Sequence, residues 1–139
     1  MRFMMLVKAN RDSEAGIMPD DALIAAMGNY NEELQAAGVL RDLSGLQPSS
    51  KGARVVFSGG KATVVEGPFA DANDLIAGYW IVEVKSKAEA IEWAKRAPAP
   101  HGKSGGEIEI RQFFDLDDFP PSPAVDQART LEAKMPKRA

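Results

Sequence analysis

Residues 61–85, KATVVEGPFADANDLIAGYWIVEVK, decide the fold of this chain. Both ends of the stretch are rich in β-branched and aromatic residues, which is typical of β-strands, and a tight turn and a short polar crossing lie between them. The turn, EGPFAD at residues 66–71, places two carboxylates and one aromatic ring around a Gly-Pro corner. We expect the preceding chain to pack against this stretch and the following chain to pair beside it.

Composition bounds the class of protein. A chain of 139 residues has the usual size of a single domain, and its net charge of −3 argues against nucleic-acid binding, which needs clustered lysine and arginine. Cysteine is absent, so disulfides and thiolate metal sites are excluded. No apolar run reaches the ~20 residues that span a bilayer, and the short one near the N-terminus does not fit a signal peptide. We expect a cytoplasmic protein with neither membrane nor nucleic acid as a partner.

Hydrophobic periodicity predicts the regular elements. Apolar residues recur at spacings of three and four along the first helix, whereas the strands are short segments that are uniformly apolar or alternate between apolar and polar residues. Residues 10–16 are predicted to be a loop. In chain order the predicted elements are strand 3–7, helix 19–37 beginning at Pro19, strand 39–46, hairpin strands 54–57 and 62–65, strand 78–84, a helix between Ser86 and Pro98, and strand 107–114.

The order of these elements is βαβ, an inserted hairpin, then βαβ. It predicts an α+β protein of the ferredoxin-like class, with two helices on one face of an antiparallel sheet. Residues 3–7 are uniformly apolar, which predicts a strand buried on both faces. Helices on one side leave the second face uncovered, and an exposed apolar sheet face is usually an interface. We therefore expect a homodimer whose sheets face each other.

The composition changes after Asp115, because DDFPPSP at residues 117–123 cannot continue a sheet. We predict a domain at residues 1–119 and a C-terminal extension at residues 120–139 that is a short helix or partly disordered. The helix, at residues 123–133, has a thin apolar stripe and needs a partner surface, and residues 134–139 are predicted to be frayed. The extension is a candidate clasp on the second subunit.

Several segments, taken together and in order, resemble a known family. They are RFMMLVKA, NEELQAAGVL, GLQP, VVEGPFAD, LIAGYWIVEV, AIEWAKRAP and GEIEIRQFFDLDDF, within residues 1–119. The chain is similar to the YCII-related proteins, and within them to the subgroup named for a DGPF motif. The resemblance implies a dimeric α+β barrel of ferredoxin-like halves, with a pocket between the sheet and the helices.

The resemblance implies two kinds of function, although most family members have no assigned activity. Some relatives resemble lyase-type enzymes, including a dehydrochlorinase, that use a His–Asp pair, and others are partners of extracytoplasmic-function sigma factors. This chain departs from the family in two places. Glu66 stands where the motif has aspartate, and no histidine lies on the first predicted helix near Met27, so the His–Asp chemistry does not carry over.

Glu66 and Asp71 flank the turn and are the candidate catalytic residues. In the functional interpretation, one of these carboxylates is a general acid or base in a partly buried site. In the structural interpretation, Asp71 caps local backbone amides and Glu66 is a solvated turn residue. The sequence leaves both interpretations open and makes Glu66 the stronger catalytic candidate of the two.

Four further side chains are candidates for ligand binding: Tyr79, Arg41, Phe69 and Arg111. Arg41 fits either an anionic ligand or a carboxylate partner at the subunit interface. Arg111 fits either an anionic ligand or a carboxylate partner, which is Glu109. Phe69 is interpreted as a loop anchor in preference to a stacking ring. Tyr79 and Trp80 point to opposite faces of one strand, so Trp80 is assigned to the core and Tyr79 to either core or pocket.

His101 is the only histidine and lies in a proline-rich loop, which predicts a surface residue; together with the absence of cysteine this argues against zinc. The acidic residues 115, 117 and 118 fit either a carboxylate-only Mg²⁺ or Ca²⁺ site or a solvated turn, and we predict no metal and no cofactor.

Two functions remain open. One is a homodimer that binds a small organic molecule, with acid/base or elimination chemistry. The other is a non-catalytic regulatory or ligand-sensing partner, for example of an extracytoplasmic-function sigma factor.

Overall fold

The computed structural model describes residues 1–136 as an α+β protein. Within that range lie a four-stranded antiparallel sheet, a separate two-stranded hairpin and four α-helices. The elements are β1 (Arg2–Lys8), α1 (Arg11–Glu14), α2 (Asp21–Ala36), β2 (Leu40–Gly45), β3 (Ala53–Ser58), β4 (Lys61–Glu66), β5 (Ile76–Glu83), α3 (Lys87–Lys95), β6 (Ile108–Gln112) and α4 (Pro123–Lys134). The predicted α+β class and the antiparallel sheet are confirmed.

The strand order of the main sheet is β2-β5-β1-β6, and each neighbouring pair is antiparallel. Met5 lies opposite Trp80 on one side and Ile110 on the other, so these side chains share a face. That face carries the core: Phe3, Met5, Trp80 and Val82 from the sheet pack with Tyr30 and Leu34 of α2 and with Ala90 and Trp93 of α3. Both longer helices of residues 1–116 thus cover the same side of the sheet.

The other face of the main sheet is much less buried. We call it the open face; its apolar members are Met4 and Leu6 of β1 and Tyr79 and Ile81 of β5, all of intermediate exposure. The expectation that β1 is buried on both faces is therefore wrong for the single chain. The reason is that α2 and α3 pack on the same side, as the core contacts show.

Two predicted boundaries are corrected by side-chain caps. Residues 10–16, predicted to be a loop, contain α1, because the Asn10 side chain accepts a hydrogen bond from the Ser13 N–H at 2.8 Å and the Asn10 N–H donates to the Ser13 hydroxyl at 2.9 Å. The next helix begins at Asp21 rather than Pro19. Asp20 is its N-cap, accepting from the Leu23 N–H at 2.8 Å, which satisfies one of the free amides of the first turn.

Tyr30 joins both core helices to the sheet. Its hydroxyl donates to the Trp93 carbonyl at 2.6 Å, and its ring meets Trp80 edge-on, with centroids 5.4 Å apart. Trp80 in turn donates from its indole nitrogen to the Asn31 Oδ1 at 2.7 Å. Burial raises the pKa of Tyr30 from 10.0 to about 12, because the phenolate would lose its hydration. The assignment of Trp80 to the core is confirmed, with an exposed fraction of 5%.

The hairpin is rooted at a close contact that we call the Ser49 junction, formed by Ser49, Glu14, Gly67 and Phe69. The Ser49 N–H donates to the Glu14 carboxylate at 3.0 Å, and the Ser49 hydroxyl donates to its other oxygen. That same hydroxyl accepts from the Phe69 N–H at 3.0 Å. A Cβ on Gly67 would lie 1.8 Å from the Ser49 carbonyl oxygen, so only glycine fits there. The Gly67–Pro68 peptide bond is cis.

The hairpin and the C-terminal helix were both predicted from sequence and are confirmed. Gly59 and Gly60 connect β3 to β4 with φ of 57° and 75°, the backbone region that favours glycine in a two-residue hairpin turn. Helix α4 starts after the Ser122 cap and is tied to the preceding turn by an Arg129–Asp117 ion pair at 2.6 Å. Of the predicted frayed end at 134–139, residues 137–139 lie outside the described residues. Among residues 1–136, no helix is long and apolar enough to cross a membrane.

Tyr30→Phe is expected to lower the free energy of unfolding at pH 7 by about 0.5–1.5 kcal/mol, because the hydrogen bond from its hydroxyl to the Trp93 carbonyl is lost, while that carbonyl keeps the Arg96 amide as a donor. The pKa of Tyr30 is raised on folding, so the stabilisation by its neutral phenol is complete below pH 10 and is lost as the pH rises through about 12. Urea denaturation of both proteins between pH 7 and 11.5 checks this. If the difference in unfolding free energy between wild type and Tyr30→Phe stays constant above pH 10, the expected loss of stabilisation is contradicted.

Gly67→Ala is expected to destabilise the protein by about 1–3 kcal/mol or more, because its Cβ overlaps the Ser49 carbonyl and the turn must move. Gly28→Ala is the matched control. Gly28 lies in α2 with open space around its Cβ position, so alanine should stabilise the helix by up to about 1 kcal/mol. Thermal unfolding of both variants tests the contact, and equal melting temperatures would refute the steric argument.

Candidate functional site

An open groove of about 620 Å³ lies between α1 and the segment that follows β4. It is bordered by polar and charged side chains together with one ring: Arg11, Glu14, Phe69, Asp71, Asn73 and Asp74. One wall comes from α1, and the other comes from the end of the EGPFAD turn and the short 3-10 turn Ala72–Asp74. The Ser49 junction holds these two walls together, because Glu14 and Phe69 both hydrogen-bond to Ser49.

Glu14 is the most constrained carboxylate of the groove. It lies at the C-terminal end of α1, is half-buried, and accepts from both the amide and the hydroxyl of Ser49. A carboxylate offers about four lone-pair sites. Glu14 therefore keeps acceptor capacity for a ligand while its position is fixed by the protein.

The other charged groups of the groove are uncommitted. Within residues 1–136, no side-chain hydrogen bond or ion pair engages Arg11, Asp71 or Asp74. With Glu14 the groove carries three carboxylates and one guanidinium, so its net charge favours ligand groups that are cationic or donate hydrogen bonds. Arg11 supplies the one group that binds an anionic substituent in a bidentate manner.

Phe69 has two contacts that fix its position. Its backbone amide binds Ser49, and its ring lies under the Arg54 guanidinium, 3.8 Å from the carbon of that group to the ring centroid. This cation–π contact connects the turn to β3. Phe69 thus has anchoring contacts and also lines the groove, so it combines the two interpretations that the sequence left open; its predicted role in ligand binding stays a prediction.

The two predicted catalytic carboxylates are not in the same place. Asp71 lines the groove. Glu66 does not border it: this residue ends β4 opposite Ala53 and is exposed at the base of the hairpin. The sequence pattern could not separate them, because a spacing of five residues within a turn does not show which residue faces a concave surface. Catalysis by either residue stays a prediction.

The remaining predicted ligand-binding residues lie on the main sheet, outside the groove. Tyr79 is on the open face, and its hydroxyl donates to Asp42 at 3.3 Å. Arg41 lies at the sheet edge, 3.6 Å from the Glu83 carboxylate, and Arg111 lies on β6, 3.4 Å from that of Glu109. Each arginine therefore has a carboxylate partner within its own chain. These side chains do not converge with Asp71 and Phe69 on one site.

His101 and the acidic residues after β6 have structural contacts. The His101 Nε2 lies 2.8 Å from the Lys8 carbonyl oxygen, so the ring ties its loop to the end of β1. Asp118 accepts from the Asp115 amide at 2.8 Å, and Asp117 pairs with Arg129. In the described part of the chain, no group of three or more histidine, cysteine or acidic residues is placed to hold a metal ion.

Sequence reasoning missed Arg11, Glu14 and Asp74 as groove residues. The local signal that could have found α1 is the Asn10–Ser13 pair, which forms a reciprocal cap. No local signal could have found the contact between Glu14 and Ser49, which are 35 residues apart in the chain. It exists only because the β2–β3 connection returns to the end of α1.

Comparison with known proteins gives three findings. An uncharacterised protein of Rhizobium meliloti (strain 1021) is 26% identical over 92 residues, covering 66% of this chain and 73% of that protein. Among solved structures, 5-chloro-2-hydroxyhydroquinone dehydrochlorinase from Burkholderia phenoliruptrix AC1100, in complex with 2,5-dihydroxybenzoquinone, is similar with a TM-score of 0.47 and 16% identity over 82% of this chain and 94% of that chain. The family model of the YCII-related domain matches residues 1–116. The chain therefore belongs to the YCII-related family.

Proposed function

We propose that this YCII-related protein binds a small polar organic molecule in the groove beside α1. The observation that carries the proposal is the pairing of Asp71, whose carboxylate is uncommitted, with Glu14, whose carboxylate is fixed by Ser49, on the walls of one concave surface. Ligand sites are concave and combine a few fixed polar groups with an apolar surface, which Phe69 supplies here. Arg11 is the complementary group for an anionic substituent.

The chemistry proposed for this groove is proton transfer or elimination. In an elimination, a base removes a proton from the carbon next to the one that loses the leaving group, and a double bond forms between the two carbons. Asp71 is the proposed base, because it borders the groove without an internal partner. Glu14 is a positioning residue that receives a hydrogen bond from the substrate. The proposal thus moves the acid–base role from Glu66 to Asp71.

We also propose that the protein is a homodimer with the ferredoxin-like plan and that it belongs to the DGPF subgroup. The strand order β2-β5-β1-β6 with two helices on one face supports the ferredoxin-like plan. The VVEGPFAD segment at residues 64–71 supports the subgroup. The half-buried apolar side chains of the open face support a dimer in which two such faces meet, as in a dimeric α+β barrel.

A second candidate function is non-catalytic. Glu66, the motif carboxylate, lies on the exposed hairpin away from the groove, where it is accessible to a macromolecular partner rather than to a bound substrate. This observation favours a regulatory or ligand-sensing protein, for example a cytoplasmic partner of an extracytoplasmic-function sigma factor. In that case the groove is not expected to turn over any compound.

A thermal-shift screen of small polar metabolites tests the groove, run on wild type, Asp71→Asn and Glu66→Gln. A ligand at about 100 times its dissociation constant stabilises the fold by roughly 2.7 kcal/mol, a readily visible shift. We expect hits that are lost or weakened in Asp71→Asn and retained in Glu66→Gln. Glu66→Gln is the matched control, since it removes one charge from the same turn outside the groove.

Each hit is then incubated with the protein and followed by mass spectrometry. Loss of a general base lowers the rate by roughly 10²–10⁴-fold, so turnover that falls in Asp71→Asn but not in Glu66→Gln supports the proposed chemistry. The reverse pattern would return the catalytic role to Glu66. Binding without turnover, or no binding with a folded protein, would favour the non-catalytic alternative.

A further inference from the structure

The hairpin β3–β4 has two unlike faces. Its register places five apolar side chains and one carboxylate on one face, which we call the arm face: Ala53, Val55, Phe57, Ala62, Val64 and Glu66. The opposite face is mostly polar: Arg54, Val56, Ser58, Lys61, Thr63 and Val65. Antiparallel strands with this alternation normally bury the apolar face and solvate the polar one.

The large apolar side chains of the arm face are more exposed than those of the opposite face. Phe57, Val64 and Val55 have exposed fractions of 80%, 60% and 53%, whereas Val56 and Val65 on the opposite face have 46% and 43%. All twelve residues of the two strands are classed as exposed. The pattern of the hairpin therefore predicts burial of the arm face, and residues 1–136 of one chain do not provide it.

A hairpin of two strands is at best marginally stable without a surface to pack on. This one is held to the rest of the chain at its root, where Gly67 binds Gly52 and Arg54 covers Phe69. Both contacts are at the end of the hairpin that is distant from Phe57. Burial of the part of the arm face around Phe57 and Val64 therefore requires a partner other than residues 1–136 of the same chain.

We propose that the arm face packs on a second copy of this chain and extends the interface formed by the open faces of the two main sheets. The inference rests on the proposed homodimer and adds a second, separate part to its interface. Phe57 is the anchor, since it is the one aromatic side chain of the arm face and large aromatic residues contribute most to binding. Glu66 lies on the arm face at the end of the hairpin next to the body of the protein, where it forms part of the polar rim.

The area of the two surfaces favours a second copy as the occupant. Strands lie about 4.8 Å apart and rise about 3.3 Å per residue, so the open face of four short strands covers roughly 400 Å² and the arm face roughly 200 Å². A dimer through open faces alone buries roughly 800 Å² in total, which is the size of many crystal contacts. With two arm contacts, each burying roughly 200 Å² on the arm and as much on the partner, it buries roughly 1,600 Å², the standard size of stable specific interfaces.

Two-fold symmetry strengthens the argument. In an isologous dimer every contact occurs twice, so one arm per chain adds two arm contacts to the interface. A partner of another kind would cover the arm face once and would leave the open face of the sheet without an occupant. One interface between two copies accounts for the exposed arm face and for the partly exposed apolar residues at the centre of the open face.

The test measures dimer dissociation constants by analytical ultracentrifugation for two matched pairs of variants. Phe57→Glu and Val64→Thr change the arm face, and Val56→Glu and Val65→Thr make the corresponding changes on the opposite face of the same strands. We expect Phe57→Glu to raise the dissociation constant by roughly 100-fold or more and Val64→Thr by roughly tenfold, because each places a polar group in a buried apolar contact. The opposite-face variants should stay within about threefold of wild type, since their side chains remain in water. Circular dichroism checks that each variant is folded, and Val64→Thr keeps a β-branched side chain if Phe57→Glu does not fold.

Leu6→Glu, on the open face, separates the two parts of the interface. If Leu6→Glu dissociates the dimer while both arm-face variants behave as wild type, the arm contact is overturned and the proposed homodimer stands. If the arm-face and opposite-face variants raise the dissociation constant equally, the assignment of the contact to the arm face is overturned. A wild-type protein that is monomeric throughout the concentration series overturns the homodimer and the arm contact together, and leaves the groove to be judged by its own screen.

Discussion

Ser49 brings together three segments that are distant in sequence. Its amide and hydroxyl bind the carboxylate at the end of α1, its hydroxyl accepts the amide of Phe69, and its carbonyl lies against a glycine that has no room for a side chain. Ser49 and Glu14 are partly buried, so a shift of any segment would break hydrogen bonds that water replaces only in part. This constraint fixes the wall of the groove and the direction in which the hairpin leaves the body of the protein.

The main sheet creates a second constraint. Two helices cover one of its faces, where Phe3, Met5 and Val82 are almost fully buried, and the other face keeps partly exposed apolar side chains. The hairpin repeats this imbalance on a smaller scale. Both surfaces have one cause: the strands carry more apolar surface than the helices cover. The proposed association with a second copy would cover both surfaces without an additional component.

The groove differs from the sites in which a histidine is the acid–base group. Its charged residues are three carboxylates and one arginine, and the sole histidine, which ties a loop to the end of β1, does not line it. A carboxylate without an internal partner is available to a ligand, whereas one that is held by two hydrogen bonds is suited to positioning. The different roles proposed for Asp71 and Glu14 therefore follow from their contacts rather than from their residue type.

The sequence by itself determined the order of the strands and of the three longer helices, the hairpin turn at Gly59-Gly60 and the burial of Trp80, because each depends on periodicity or on turn chemistry within a few residues. It also carried the family resemblance, which depends on short segments in a fixed order. Only the tertiary structure decided that Asp71 and not Glu66 borders the groove, that Glu14 joins it from α1, and that Arg41 and Arg111 have carboxylate neighbours within the chain. The physical reason is that a concave site is made by segments that are far apart in sequence, and local patterns carry no information about which of them meet.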